Sequence, residues 1–488
     1  MSDLILFWHR RDLRISDNIG LARARQQSRK VVGLFCLDPG LLDRDDVAAV
    51  RVTYLIGCLQ ALQQRYTEVG SQLLILKADP QQAIPRLAQS LQAKAVLWNW
   101  DVEPYARERD QAIQQTLQSI GVETQGFWDQ LLHPPASIIT GSGAPYTVYT
   151  PFWKNWSNQP KPEPVAELQV ATGLTGAEQE IAQQAGAIAL PTAKELGFIW
   201  DNPLILEPGE AAPLERLESF CYQALFSYQE DRNFPAMEGT SQLSAAFKFG
   251  AIGVRTVWAK TVEVMQQSRS DQSRDSIRTW QQELAWREFY QHAMYFFPAL
   301  ADGAYRPILQ NFPWENDLDL FQAWCQGRTG YPIVDAAMRQ MREIGWMHNR
   351  CRMIVASFLT KDLLIDFRLG EKFFMQSLID GDLSANNGGW QWSASSGMDP
   401  KPLRIFNPTS QAQKFDPDAD YIRQWLPELR GVDTEALVSD KILPLERDRC
   451  GYPAPIVDHA QQQRKFKQQY QKQRAQLQDE PDTCSATE

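Results

Sequence analysis

The sequence predicts an N-terminal doubly wound α/β domain with a parallel sheet, joined by a long linker to a larger all-α domain. Three observations predict it. The first ~130 residues alternate short apolar runs with longer stretches of helical apolar spacing. The pattern then decays into Pro- and Gly-punctuated sequence. From Leu214 to about Ile379 helical spacing dominates, with few strand signals.

Taken in order, the apolar runs 4–8, 31–37, 73–76, 95–98 and 126–128 read as strands. Between them, 51–66, 80–91 and 105–120 repeat apolar residues at helical intervals. Strand–helix alternation requires crossovers, hence a parallel sheet, and such sheets bind ligands beyond their carboxyl ends. The fingerprint GxGxxG is absent, so no classical dinucleotide turn is expected there. PKPEPV (160–165) reads as part of a connector wrapping the surface. Segments 278–294 and 334–364 are the clearest helices. From Gln461 the chain is rich in Gln, Lys and Arg, predicting a final helix and then a disordered end. The expected boundaries are 1–132, 133–213 (linker), 214–475 and a tail at 476–488.

The chain has 488 residues, 43% hydrophobic and 22% charged, which excludes disordered, collagen-like and coiled-coil classes. No apolar run approaches the ~18 residues of a membrane helix, and MSDLILFWHRRDLR is not a signal peptide. The seven cysteines are scattered without CxxC or zinc spacing, which predicts reduced thiols and a cytoplasmic location. A net charge of −10 argues against a general nucleic-acid coat protein but permits one local basic groove.

Four segments carry chemistry. EGTSQLS (238–244) sets Thr240, Ser241 and Ser244 before a helix, which serves either as a plain cap or as a phosphate site. WQQELAWREFY (280–290) aligns Trp280, Glu283, Trp286, Arg287 and Tyr290 on one helical face. That face is either core or a ligand surface, and a buried Glu283 would need a partner. WMHNRCRM (346–353) places Asn349 and Met353 one turn apart; His348 reads as structural rather than as an acid or base. DGDLSANNGGWQW (380–392) packs two carboxylates, two asparagines, two Trp residues and several glycines together. It is poor regular helix by composition, and reads as a structural loop or a dense polar site beside aromatic platforms. Residues 339–404 hold nine Lys/Arg against seven Asp/Glu, consistent with a weakly positive groove or a solvated face.

Together with FWHRRDLR (7–14) and RIFNP (404–408), these segments resemble the photolyase/cryptochrome family. Within it they are most similar to the class I cyclobutane pyrimidine dimer DNA photolyases of the deazaflavin-antenna type, over nearly the whole chain. The resemblance implies FAD in the helical domain. Tyr228 and Thr240, Ser241, Gln242, Leu243 and Ser244 would hold its phosphates. Trp280 and Arg287 would flank it, and Asn349, Arg352, Asp380, Asp382 and Asn386 would surround the ring. Arg352 and Asp380 would form an ion pair, Asp382 would bond the ring edge, and Asn386 would face N5. It implies light-driven repair by electron transfer from excited reduced FAD to a dimer flipped out of UV-damaged DNA. Glu283 would donate a hydrogen bond to the dimer, and Asn349, Met353, Trp286 and Trp392 would hold it. Arg350, Lys401 and Arg404 would meet backbone phosphates.

Phe35, Cys36, Leu37, Arg51, Asp101, Glu103 and Lys248 resemble the site of an 8-hydroxy-5-deazaflavin antenna, with methenyltetrahydrofolate the alternative. The family photoreduces oxidised flavin through three Trp residues. Trp390 and Trp314 match the first and last, but Phe367 stands in the middle, which implies weak photoreduction with repair intact. The alternative function is a cryptochrome-like blue-light receptor. The short C-terminal tail and the dimer-contact set favour repair, and the missing second His disfavours a (6-4) photolyase. The protein is expected to act as a monomer.

Overall fold

The computed structural model describes residues 3–398 and 403–479. Five strands form a parallel sheet: β1 (Ile5–His9), β2 (Val31–Leu37), β3 (Leu73–Lys77), β4 (Ala95–Asn99) and β5 (Glu123–Phe127). The strand order is β5-β4-β1-β2-β3, with a short sixth strand, β6 (Ala187–Ile188), beside β3. Every residue of β1, β2 and β4 is buried. Central parallel strands are covered by helices on both faces, so they run apolar rather than alternating, with only His9 and Asn99 polar at the ends of β1 and β4. Edge strand β5, ETQGF, is only half-buried, as its polar residues allow.

The intervening helices follow the expected apolar spacing, at Ala49–Glu68, Pro80–Ser90 and Pro104–Ser119. Asn18 caps the helix Ile19–Gln27 by accepting the Leu21 amide, and Asp79 caps Pro80–Ser90 by accepting the Gln81 amide. Leu6, Trp8, Leu34, Val96 and Trp98 form one core layer against Ile84, Leu87, Ile113 and Leu117. Strand order reverses between β1 and β4, the switch point outside whose carboxyl ends such sheets generally bind ligands.

The segment expected to be a linker carries structure. It contains the helix Tyr149–Asn158 and the helix Gly176–Gln184, the second closed by a Thr175–Glu178 capping box. It also supplies β6 (Ala187–Ile188), which pairs antiparallel with β3 and covers that edge. A two-residue strand has no periodicity to read in advance.

The described chain forms two compact units. The first comprises 3–229, 239–298 and 375–384. The second comprises 230–238, 299–374 and the described residues from 385 onward. The second unit is helical, built on Pro332–Ile344, Asn349–Lys361 and residues 367–374 of the helix Phe367–Ser377, with Val355, Phe358, Leu359, Trp324 and Trp390 in its core. The final helix, His459–Asp479, runs past the expected start of the tail at 476; residues 480–488 lie outside the described residues.

A further expectation is corrected. DGDLSANNGGWQW is poor helix by composition, yet Leu383–Ala394 is helical. Tertiary contacts override propensity here. Asn387 donates to the Leu300 carbonyl at 2.8 Å and to Glu371 Oε1 at 3.0 Å. Gln391 donates to the Gly303 carbonyl at 2.6 Å and accepts from the Tyr305 amide at 3.1 Å. The polar side chains that weaken the helix in isolation anchor it to its neighbours instead.

Candidate functional site

In the first unit the β1/β4 crevice is lined by an ion network. Arg11, just beyond β1, pairs with Glu103 at 2.8 Å, with Asp101 at 3.4 Å and with Asp382. Lys248 Nζ lies 3.9 Å from both Glu103 and Asp382. Burial works against the Asp101 charge, yet Arg11 and Arg10 hold its carboxyl below the usual range. Thus Asp101, Glu103, Lys248 and Asp382, assigned from sequence to two different ligands, meet in one cluster. Their common partner Arg11 had no role assigned, although it stands in the FWHRRDLR motif.

Arg51 is buried and donates to the Leu378 carbonyl at 3.1 Å and the Asp46 carbonyl at 2.9 Å. It thereby holds the turn that presents Asp380 and Asp382. Gly381 lets Arg51 approach the turn closely: a Cβ there would lie 2.0 Å from Arg51 Nη1 and displace the guanidinium. Phe35 and Leu37 are core residues at the end of β2. Cys36 donates to the Ala78 carbonyl at 3.2 Å, and burial pushes its thiol up to about 12, which leaves it unreactive.

Gln242 sits at φ 52° in the 238–244 turn, immediately before the helix Ser244–Phe249. Thr240, Ser241 and Ser244 are half-buried there, Leu243 is buried, and Gln242 Oε1 accepts from Arg216 at 2.7 Å. Tyr228 and Trp280 are buried and both pack on Phe220. The helix Asp271–Phe296 carries Glu283, Trp286 and Arg287, all half-buried. Arg287 donates to the Gln130 carbonyl at 2.7 Å; burial lowers it to about 10, so it stays a cation at neutral pH. The neighbouring carboxylate Glu288 is wholly buried and accepts from Trp156 Nε1 at 2.6 Å and from the Leu132 amide.

The donor set suits a flavin dinucleotide. Ser384, 2% exposed and next along the chain to the Asp382 turn, has a hydroxyl with no hydrogen-bond partner among the described residues. Buried hydroxyls are normally satisfied, so a polar ligand is the natural complement. The hydroxyl-rich turn at 240–244 matches phosphate chemistry, and Arg287 adds positive charge.

In the second unit, His348 caps the helix Asn349–Lys361 by accepting the Arg350 amide on Nδ1 at 3.1 Å. Burial and the nearby Arg350 and Arg352 lower its pKa to about 3, so it is neutral and structural, as read from sequence. Asn349 is exposed; Met353 is half-buried. Arg352 Nε donates to the Met347 carbonyl at 2.8 Å. Arg350 bonds Asn233 and lies 4.3 Å above the Phe415 ring. Arg404 lies 4.5 Å above Trp392, pairing a cation with an aromatic platform. Asn386 Nδ2 donates to the Glu371 carbonyl at 3.0 Å. Lys401 lies outside the described residues.

Trp390 is buried, with its indole N–H unpartnered among the described residues. Gly370 makes its seat: a Cβ there would stand 2.2 Å from Trp390 Cη2. Phe367 is buried, and Trp314 is half-buried against Phe312 at 4.5 Å. The Trp that contacts Trp390 is Trp324, which sequence reasoning passed over. Nothing in QAWCQG distinguishes it from an ordinary core Trp.

Comparison with known proteins agrees with this arrangement. The DNA photolyase model matches residues 5–169, and the model for the FAD binding domain of DNA photolyase matches 280–472. A deoxyribodipyrimidine photo-lyase from Synechococcus sp. is 60% identical over 99% of this chain and 100% of its own. A bacterial class III photolyase from Agrobacterium tumefaciens superposes with a TM-score of 0.87 at 33% identity, covering 97% of this chain and 98% of that one. A cryptochrome from Synechocystis sp. PCC6803 superposes with the same TM-score at 27% identity, covering 96% and 99%. With an N-terminal α/β sheet, a helical FAD-binding region and full-length relatives, the chain belongs to the DNA photolyase family.

Proposed function

We propose that this protein repairs cyclobutane pyrimidine dimers in UV-damaged DNA, using light absorbed by a reduced flavin. The carrying observation is 60% identity, end to end, with a deoxyribodipyrimidine photo-lyase. Repair is favoured over light reception because the full-length match at high identity is to a repair enzyme, whereas the cryptochrome is 27% identical.

When bound, FAD would supply the photoexcited electron needed to open the cyclobutane ring, with no net redox change. The chain's own residues do the rest. Tyr228, the 240–244 turn, Trp280 and Arg287 bind the dinucleotide. Arg352, Asp380, Asp382, Asn386 and Asn349 border the ring, with Arg11 and Arg51 bracing the turn that carries Asp380 and Asp382. Glu283 donates a hydrogen bond to a pyrimidine carbonyl as charge develops there. Trp286, Trp392, Asn349 and Met353 hold the extruded dimer, whose weak stacking in the duplex lowers the cost of flipping it. Arg350 and Arg404, with Lys401, meet phosphates. The protein acts as a monomer.

An 8-hydroxy-5-deazaflavin antenna at Phe35–Leu37, Arg51, Asp101, Glu103 and Lys248 completes the reading. Mass spectrometry of chromophores released from purified protein tests it; methenyltetrahydrofolate, or no second pigment, rejects it. The function itself is tested by mixing reduced protein with dimer-containing DNA and illuminating. Ultraviolet absorbance of intact pyrimidines must recover in light and not in darkness. No recovery, or equal recovery in the dark, rejects repair.

A further inference from the structure

The Tyr149 ring lies flat on Trp286, with centroids 3.5 Å apart and planes 7° from parallel. This is a parallel, face-to-face stack at van der Waals distance. Three further contacts hold it there. The Tyr149 hydroxyl donates to the Gln282 carbonyl at 2.9 Å. That carbonyl lies four residues before Trp286, the position its amide addresses in a helix. Phe152, one turn beyond Tyr149, is buried against Phe289 at 5.3 Å and His292 at 5.2 Å. Trp156, a further turn on, is pinned by Glu288. The helix Tyr149–Asn158 therefore lies clamped along the helix Asp271–Phe296, and its first residue covers one face of Trp286.

Rings in van der Waals contact leave no gap for a third ring between them. Whatever stacks on Trp286 must use the opposite face. Phe289 and Tyr290 also meet the indole, at 5.8 and 5.5 Å, so its plane is fixed from several sides. We propose that Tyr149 is a positioning residue for lesion recognition: by occupying one face of Trp286 it makes that Trp a rigid, one-sided wall for the dimer. This rests on the reading above that Trp286 contacts the dimer. Two linked bases are bulky and buckled, and gain from a preformed flat wall. Ordinary bases stack on any exposed aromatic face, so undamaged strands do not depend on the fixed plane and the dimer does.

The test is dark binding of holoenzyme to a single-stranded oligonucleotide with or without one thymine dimer, together with the repair yield per bound complex. Tyr149→Ala should weaken dimer binding about tenfold, with undamaged binding held within about twofold. Repair yield per bound complex should be unchanged. Tyr149→Phe keeps the plane and should retain most of the preference. Tyr149→Leu keeps bulk without the plane and should behave as the Ala variant; its melting temperature and flavin content identify any folding defect. Unchanged dimer affinity in the folded Ala or Leu variant overturns the proposal. Equal loss on both oligonucleotides, or loss in the repair yield alone, overturns it too. If wild-type protein shows no dimer preference, the repair reading fails first and this proposal falls with it.

Discussion

Trp324 stands edge-on to Trp390, ring centroids 6.2 Å apart and planes at 69°, and both are sealed from solvent. Trp324 is enclosed by Phe321, Phe373 and Phe374, and its indole N–H is committed to the Val355 carbonyl at 3.1 Å. An oxidised Trp324 would have no water to take its proton and no oxidisable ring among these neighbours. It is a poor exit for a hole arriving at Trp390, and Phe367 cannot serve as a hopping station. Photoreduction of oxidised flavin should therefore be slow in the wild type and accelerate in Phe367→Trp, followed by flavin absorbance under light with a thiol reductant. Fast reduction in the wild type that is lost in Trp324→Phe would reverse this reading.

Glu288 and His292 give opposite pH signatures. Burial raises Glu288 to about 7, despite the bonds from Trp156 and Leu132. A carboxyl raised on folding favours the folded state below its unfolded value of 4.5, and that stability is lost as pH rises through 7. Burial lowers His292 to about 4, so the folded state gains stability as pH rises from 4 to 6.5. Relative to wild type, Glu288→Ala should lose less stability at pH 8 than at pH 5. His292→Gln should lose less at pH 5 than at pH 7.5. Denaturant melts at each pH measure both differences.

His348 is a cap and not a proton donor. Its Nδ1 accepts the Arg350 amide, and its pKa near 3 keeps it neutral. His348→Asn should preserve the cap and leave the pH profile of repair without a new inflection between pH 5 and 8. His348→Ala should cost about 1 kcal/mol of stability. An inflection present in the wild type and absent in His348→Asn would assign it a proton-transfer role.

Much of the fold was legible because β1, β2 and β4 are buried on both faces, which writes long apolar runs into the sequence. The helix Leu383–Ala394 was not, because its stability comes from Asn387 and Gln391 bonding to residues more than ten positions away. β6 was too short for a period to show. At the site, motif-bearing segments such as WMHNRCRM could be seen as wholes. Partners such as Arg11, Tyr149 and Trp324 could not, because each acts through a contact with a residue distant in sequence.

Gly370 should tolerate no side chain. A Cβ would stand 2.2 Å from Trp390 and 2.5 Å from Leu359 Cδ2, both in the closed core. Overpacking of this kind costs about 1–3 kcal/mol. Gly370→Ala should lower the melting temperature and shift Trp fluorescence. A variant as stable as wild type, with unchanged emission, would mean that the Trp390 seat is loose.

Lys361 is wholly buried, and its ammonium donates to the carbonyls of Ser393 and Arg404. It ties the end of the Trp392 helix to the strand of chain bearing Arg404, the cation over that same Trp. Burial lowers its pKa to about 7, against the pull of Asp362. The unfolded chain therefore binds the extra proton between pH 7 and its ordinary 10.5. Across that window the Lys361 contribution grows with pH, by up to about 1.4 kcal/mol per unit. Lys361→Met removes both the titration and the carbonyl tie. Its stability deficit against wild type should widen from pH 7 to pH 9 in denaturant melts, and its affinity for dimer-containing DNA should fall as Trp392 loosens. A deficit that stays constant over that range would mean that Lys361 is charged in the folded protein.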